Sequence, residues 1–235
     1  LNRGFDQLLM DVALHRAGVT VVLDRAGVTG ADGASHNGVW DIAMCSIIPG
    51  LRLAAPRDEE TLRARLREAL DVDDAPTVIR YRKGSLPEPM PALRSVGGVD
   101  ILFDEAVADS SARVLIVGTG ACAPDAIEAA RRLSADGVSV TVADPQWMIP
   151  VCPELATLAH DYDCVVSVED GIVQGGFGWS LRDAVAEAGV PVRCLGVPQG
   201  FPEHGDRGAM IAQFGFDADG IERAARELVE RISNR

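Results

Sequence analysis

Short runs of β-branched and apolar residues, each followed by a stretch of helical periodicity, set the tightest limit on what this chain can fold into. Val-Thr-Val-Val-Leu at 19–23, Leu-Arg-Leu-Ala-Ala at 51–55, Thr-Val-Ile-Arg at 77–80 and Val-Leu-Ile-Val-Gly at 114–118 are of this kind, with further runs at 99–103, 138–143, 164–168 and 192–195. Strands apolar at consecutive positions are buried on both faces, as in a parallel sheet covered by helices. Helical patterns fall between them. Phe5, Leu8, Leu9, Val12 and Ala13 open the chain at helical spacing, and helices are predicted at 39–47, from 56 to about 70, at 123–133, 153–160, 178–187 and 220–232. Strands separated by helices require right-handed crossovers, so the fold class is α/β with parallel sheets. The series breaks once. Pro87, Pro89 and Pro91 stiffen a stretch without periodicity, which divides the chain into a first α/β domain at 1–83, a linker at 84–98 and a second α/β domain at 99–235.

The loop behind the first strand carries the chemistry. From Asp24 to Gly38 it holds Arg25, Asp32 and His36 among glycines at 27, 30, 33 and 38. Ligands of open α/β sheets bind beyond the carboxyl ends of the strands, and glycines let backbone amides approach them closely. A fixed cation, an acceptor and a side chain that changes charge near neutral pH suit a small polar or phosphorylated substrate.

A net charge of −13 argues against nucleic acid or an anionic membrane as partner. No segment approaches the roughly 20 apolar residues of a membrane span, and the first residues do not read as a signal peptide. Cys45, Cys122, Cys152, Cys164 and Cys194 are widely spaced, with no Cys-x-x-Cys pair, and read as reduced thiols of a cytoplasmic protein without structural metal. The turn Gly118-Thr119-Gly120 lacks the third glycine of a dinucleotide fingerprint and reads as a packing turn.

The loop sequence Gly30-Ala31-Asp32-Gly33-Ala34-Ser35-His36 resembles the Gly-(Ala/Glu)-Asp-Gly-x-x-His pattern in the pyrimidine-binding domain of transketolase-like thiamine-diphosphate enzymes. Leu1-Asn2-Arg3-Gly4-Phe5-Asp6-Gln7, Asp24-Arg25-Ala26-Gly27 and Val78-Ile79-Arg80-Tyr81 narrow the resemblance. They point to the branch that decarboxylates pyruvate and adds the two-carbon unit to D-glyceraldehyde 3-phosphate. Val168-Glu169-Asp170-Gly171 with Gly175-Gly176-Phe177-Gly178 resembles the transketolase C-terminal domain, while 144–150 departs from the family pattern.

The resemblance implies thiamine diphosphate and Mg2+ as cofactors, and a homodimer. It places Arg25 and Arg80 at the acceptor phosphate, Arg3 beside them, Asp32 near the substrate hydroxyls and His36 as a proton carrier during bond formation. The Gly-Asp-Gly metal motif and the glutamate that activates the cofactor are expected before residue 1. The first domain is thus expected to be incomplete and to expose a sheet edge, and residues 1–235 are expected to be inactive alone. Two alternatives share the domain order: a β-type subunit of a 2-oxoacid dehydrogenase, and a non-catalytic dimerisation module.

Overall fold

The computed structural model describes residues 1–234. The chain enters through a helical segment: a 3-10 turn Asn2–Gly4, α1 (Phe5–Gln7) and a π-helical stretch Leu8–Ala13. The first sheet has three parallel strands in the order β1 (Thr20–Leu23), β3 (Thr77–Arg80), β2 (Arg52–Ala54). Their crossovers carry the short α2 (Asp41–Cys45) and α3 (Glu59–Leu70). β3 is buried along its whole length, whereas Val22 of the edge strand β1 is 47% exposed.

The second sheet runs β4 (Arg94–Val96), β5 (Val99–Glu105), β7 (Ser139–Pro145), β6 (Arg113–Gly118), β8 (Cys164–Ile172), β9 (Val192–Val197). β6 to β9 are parallel, and β5 pairs antiparallel with β4 and β7. The sheet carries α4 (Ala123–Ala135), α5 (Pro153–Ala159), α6 (Phe177–Ala184), α7 (Arg207–Phe214) and α8 (Ala218–Ser233). The period of two along β6 divides the interior. Val114 and Ile116 join a core with α4 and α8, while Leu115 and Val117 join a core with Phe177 and Leu181. The latter core also contains Leu8, Ile42, Leu53 and Val78, so the two sheets share it. The stretch at 148–149 borders β2, with Met148 N–H donating to Leu53 O at 2.7 Å and Leu53 N–H to Ile149 O at 2.9 Å.

Three sequence expectations change. Residues 94–96, expected within the linker, form β4, because Gly97 and Gly98 both take positive φ and close a two-residue hairpin onto β5. The helix expected at 39–47 contracts to α2, since Val39 O accepts from Ile172 N–H of β8. α7 was not anticipated; Asp206 caps it by accepting from Ala209 N–H at 2.9 Å. The Gly118 turn is a packing turn as expected, since a Cβ there would lie 2.6 Å from Ala126 Cβ.

Arg57 and Asp58 fasten the linker. Asp58 caps α3 through Thr61 N–H at 2.9 Å, and its second oxygen accepts from Met90 N–H at 2.8 Å. Asp58→Ala should therefore lower stability by about 1–2 kcal/mol in chemical denaturation, at the upper end for a helix cap. Arg57, 7% exposed, donates from Nε to Met90 O at 2.9 Å. Its Nη1 reaches Asp100 Oδ2 at 2.7 Å and Asp144 Oδ2 at 3.1 Å. Burial pushes the Asp144 carboxyl up to about 7, against the pull of Arg57.

Candidate functional site

At the carboxyl end of β1 lies a cavity of about 810 Å³, within the range of small-molecule sites. Arg3 from the opening turn, Asp24 and Arg25 from the end of β1, His36 from the glycine loop and Asp41 from α2 line it. Arg3, Arg25 and His36 are exposed to it. Ser35 Oγ lies 2.8 Å from His36 Nδ1.

The loop that presents these groups is braced internally. Gly27 and Gly38 exchange two backbone hydrogen bonds at 2.9 Å. Asn37 accepts from Thr29 N–H at 2.8 Å and donates to Gly33 O at 2.9 Å. The second sheet holds it from behind: Asp170 Oδ1 accepts from Val28 N–H at 2.9 Å, and Arg207 Nη1 donates to Val28 O at 2.7 Å. Gly27, at φ +77°, has no room for a side chain, since a Cβ would fall 2.0 Å from Asp170 Oδ2.

Of the five residues expected at the site, the structure gathers Arg3, Arg25 and His36 around one cavity. Arg80 is displaced from it. Its strand is central, between the core shared with the second sheet and α3, and the guanidinium is buried, with Nε on Asp41 Oδ2 at 2.8 Å and Nη2 on Asp170 O at 2.8 Å. It borders a separate cavity of about 290 Å³ beneath the linker, together with Arg57, Tyr81 and Leu86. Asp32 lies outside the lining of both cavities and pairs with Lys83 Nζ at 2.9 Å. That hydrogen bond holds its carboxyl below the usual value. Asp41, by contrast, is shifted upward by burial despite Arg80. His204 is exposed on its loop.

Sequence reasoning passed over Asp41, Asp170 and Arg207. A signal was available for the acids, because charges inside apolar runs such as Val39-Trp40-Asp41-Ile42 must be paired once buried.

Glu169, beside Asp170 on β8, is a further buried acid. Its two oxygens accept from Phe177 N–H and Gly178 N–H, both at 2.9 Å, and so cap α6. Burial pushes its carboxyl up to about 7 even so. A carboxyl that titrates higher in the folded state than its ordinary 4.5 stabilises fully at low pH and loses that contribution as pH rises to about 7. The loss is on the order of 3 kcal/mol. Urea midpoints at pH 5 and pH 8 should differ less in Glu169→Gln than in the wild type, with the other carboxyls that burial raises, Asp41 and Asp144 among them, supplying further dependence.

A family model described as the transketolase pyrimidine binding domain matches residues 1–89, and one described as the transketolase C-terminal domain matches 105–221. The chain belongs to the transketolase family. Its transketolase domains are 50% identical over 226 residues to a 1-deoxy-D-xylulose-5-phosphate synthase of Corynebacterium glutamicum (strain R), covering 94% of this chain and 36% of that protein. They are 51% identical over 237 residues to 1-deoxy-D-xylulose-5-phosphate synthase 2 of Kitasatospora griseola, covering 99% of this chain and 37% of that one. The chain thus spans little more than a third of the length of these curated relatives. A solved structure described as "Split gene transketolase, inactive beta4 tetramer" superimposes with a TM-score of 0.81 at 25% identity, covering 97% of this chain and 72% of that one.

Transketolase-type pyrimidine domains and the synthase relatives imply thiamine diphosphate. Among the described residues no group of three or more His, Cys, Asp or Glu could hold a metal ion. No helix among the described residues is long and apolar enough to cross a membrane.

Proposed function

We propose that this chain forms the acceptor side of a thiamine-diphosphate-dependent transferase. The overall reaction condenses pyruvate with D-glyceraldehyde 3-phosphate, releases CO2 and forms 1-deoxy-D-xylulose 5-phosphate, which serves isoprenoid and thiamine biosynthesis. The cofactor supplies the carbon–carbon chemistry, and residues outside these 235 hold its diphosphate and Mg2+. The observation that carries the reading is the cavity where Arg3, Arg25 and His36 converge beyond β1. The names of the half-identical relatives support it.

Arg25 presents a planar, permanently charged fork that suits a phosphate monoester, and Arg3 adds a second cation across the same cavity. Asp41 brings little free negative charge to that wall, because Arg80 is committed to it at 2.8 Å. Arg80 is assigned to the floor of the site rather than to the phosphate. His36 lines the cavity and is the group placed to give or take the proton at the acceptor carbonyl oxygen as the new bond forms. Asp32, paired with Lys83, anchors the loop that carries His36.

The working assembly is a cytoplasmic homodimer of the full polypeptide. The described residues alone are inactive, in keeping with the solved relative whose description reads "inactive". The reading is tested by comparing kcat/KM for D-glyceraldehyde 3-phosphate with that for unphosphorylated D-glyceraldehyde, in the full natural polypeptide with pyruvate, thiamine diphosphate and Mg2+. Two charge-assisted contacts to the phosphate predict a preference of about 100-fold or more. Equal use of both acceptors would remove the reading.

A further inference from the structure

Asp170 lies two residues before the end of β8, and its side chain leaves the second sheet to meet the glycine loop of the first. Its Oδ1 takes the Val28 N–H at 2.9 Å. Its Oδ2 lies 2.9 Å from Arg207 Nη2, and the same guanidinium donates through Nη1 to Val28 O at 2.7 Å. Asp170 and Arg207 thus satisfy both backbone groups of Val28, as a neighbouring strand would. The Asp170 carbonyl meanwhile accepts Arg80 Nη2 at 2.8 Å, and Arg80 Nε holds Asp41, which lines the cavity. One residue therefore fastens two walls of the acceptor cavity: the loop bearing Arg25 and His36, and the floor at Asp41. It is 2% exposed, and its carboxylate occupies the volume that a side chain at position 27 would need. A buried ion pair of this kind adds little net stability compared with apolar packing of the same volume, so what it contributes is a fixed geometry.

We propose that Asp170, acting with Arg207, is a positioning residue for the acceptor site, through which the C-terminal domain sets the height of the glycine loop and hence the distance from Arg25 to the acceptor phosphate. The proposal rests on the functional reading given above. Asp170 is not among the residues lining the acceptor cavity; it borders the separate cavity of about 290 Å³ with Arg80, so its proposed effect on the acceptor passes through the loop.

The test uses Asp170→Ala and Asp170→Asn in the full natural polypeptide, with two readouts. Amide hydrogen exchange follows Val28 to Gly38 against β6 as an internal reference, and steady-state kinetics separate the two substrates. Asp170→Ala should speed exchange in the loop by about tenfold or more without changing β6. It should also raise KM for D-glyceraldehyde 3-phosphate by on the order of tenfold, with KM for pyruvate unchanged, as expected for a displacement of about 1 Å or less at a binding group. Asp170→Asn keeps the shape and the acceptor for Val28 N–H, so it should recover most of both effects. Unchanged loop exchange in a wild-type-like fold would overturn the proposal. So would faster exchange with an unchanged acceptor KM, or equal losses for both substrates together with faster exchange in β6. A wild-type protein that fails to use D-glyceraldehyde 3-phosphate overturns the functional reading itself, which separates that failure from a failure of the positioning role.

Discussion

Arg57→Met should cost about 3–5 kcal/mol of stability, the range for removing one partner of a buried ion pair. The loss is large because Arg57 serves two carboxylates at once. Asp100 of β5 and Asp144 of β7 both face its Nη1, and Met90 O accepts its Nε. Methionine fills much of the volume but leaves the two acids buried without a cation. Asp100 keeps Ser95 Oγ at 2.5 Å and Gln146 Nε2 at 2.9 Å, so its desolvation is partly compensated. Asp144 keeps only Gly120 N–H, at 3.2 Å. Its carboxyl is already pushed up to about 7 by burial and rises further when Arg57 is gone. A folded state that binds more protons than the unfolded chain loses stability as pH rises, so the deficit of Arg57→Met should be larger at pH 8 than at pH 5. Guanidinium denaturation of both proteins at the two pH values measures it. A deficit below about 1 kcal/mol, independent of pH, would show that the network is not what ties the linker to the second sheet.

Arg25→Leu should lower kcat/KM for D-glyceraldehyde 3-phosphate by about tenfold or more while changing kcat/KM for D-glyceraldehyde by less than about threefold. Hydrogen bonds to a charged partner contribute about 1.5–3 kcal/mol each, and each 1.4 kcal/mol is tenfold in rate. Arg25 lies on the exposed wall of the cavity, and Arg3 remains as a second cation, which keeps the loss near the lower end. Arg25→Lys should recover only part of the activity, because an ammonium keeps the charge but not the fork. The matched measurement on Arg80→Lys separates the roles of the two arginines. Arg80 holds Asp41 and Asp170 O in a buried setting, so its loss should appear in stability and affect both acceptors alike.

The strands and most helices were legible because burial on both faces leaves an unmistakable mark. Thr77–Arg80 and the runs inside β6 and β8 are apolar at successive positions, and their crossover helices begin at capping or proline residues. β4 was missed because Arg94-Ser95-Val96 carries no apolar alternation; its pairing comes from the Gly97-Gly98 turn. Arg25, at the end of β1, and His36, on the glycine loop behind it, were legible as residues of one loop, which the structure sets beside one cavity. Arg80 was not, since a sequence shows that a strand ends in arginine but not that Asp41, 39 positions earlier, folds back onto it. Asp170 and Arg207 were hidden for the same reason, reaching Val28 across 142 and 179 positions. Long-range pairing of charges is set by how the two sheets dock, which local pattern does not encode.

The central claim is that these residues receive an aldose phosphate acceptor for a two-carbon unit from pyruvate. Its most direct test is carbon-13 NMR of the reaction mixture when the full natural polypeptide is given [2-13C]pyruvate, D-glyceraldehyde 3-phosphate, thiamine diphosphate and Mg2+. The account predicts label in the ketone carbon of 1-deoxy-D-xylulose 5-phosphate, formed in step with CO2. Label that appears only in acetaldehyde or acetate, or that moves to a lipoyl domain instead of the triose phosphate, would contradict it.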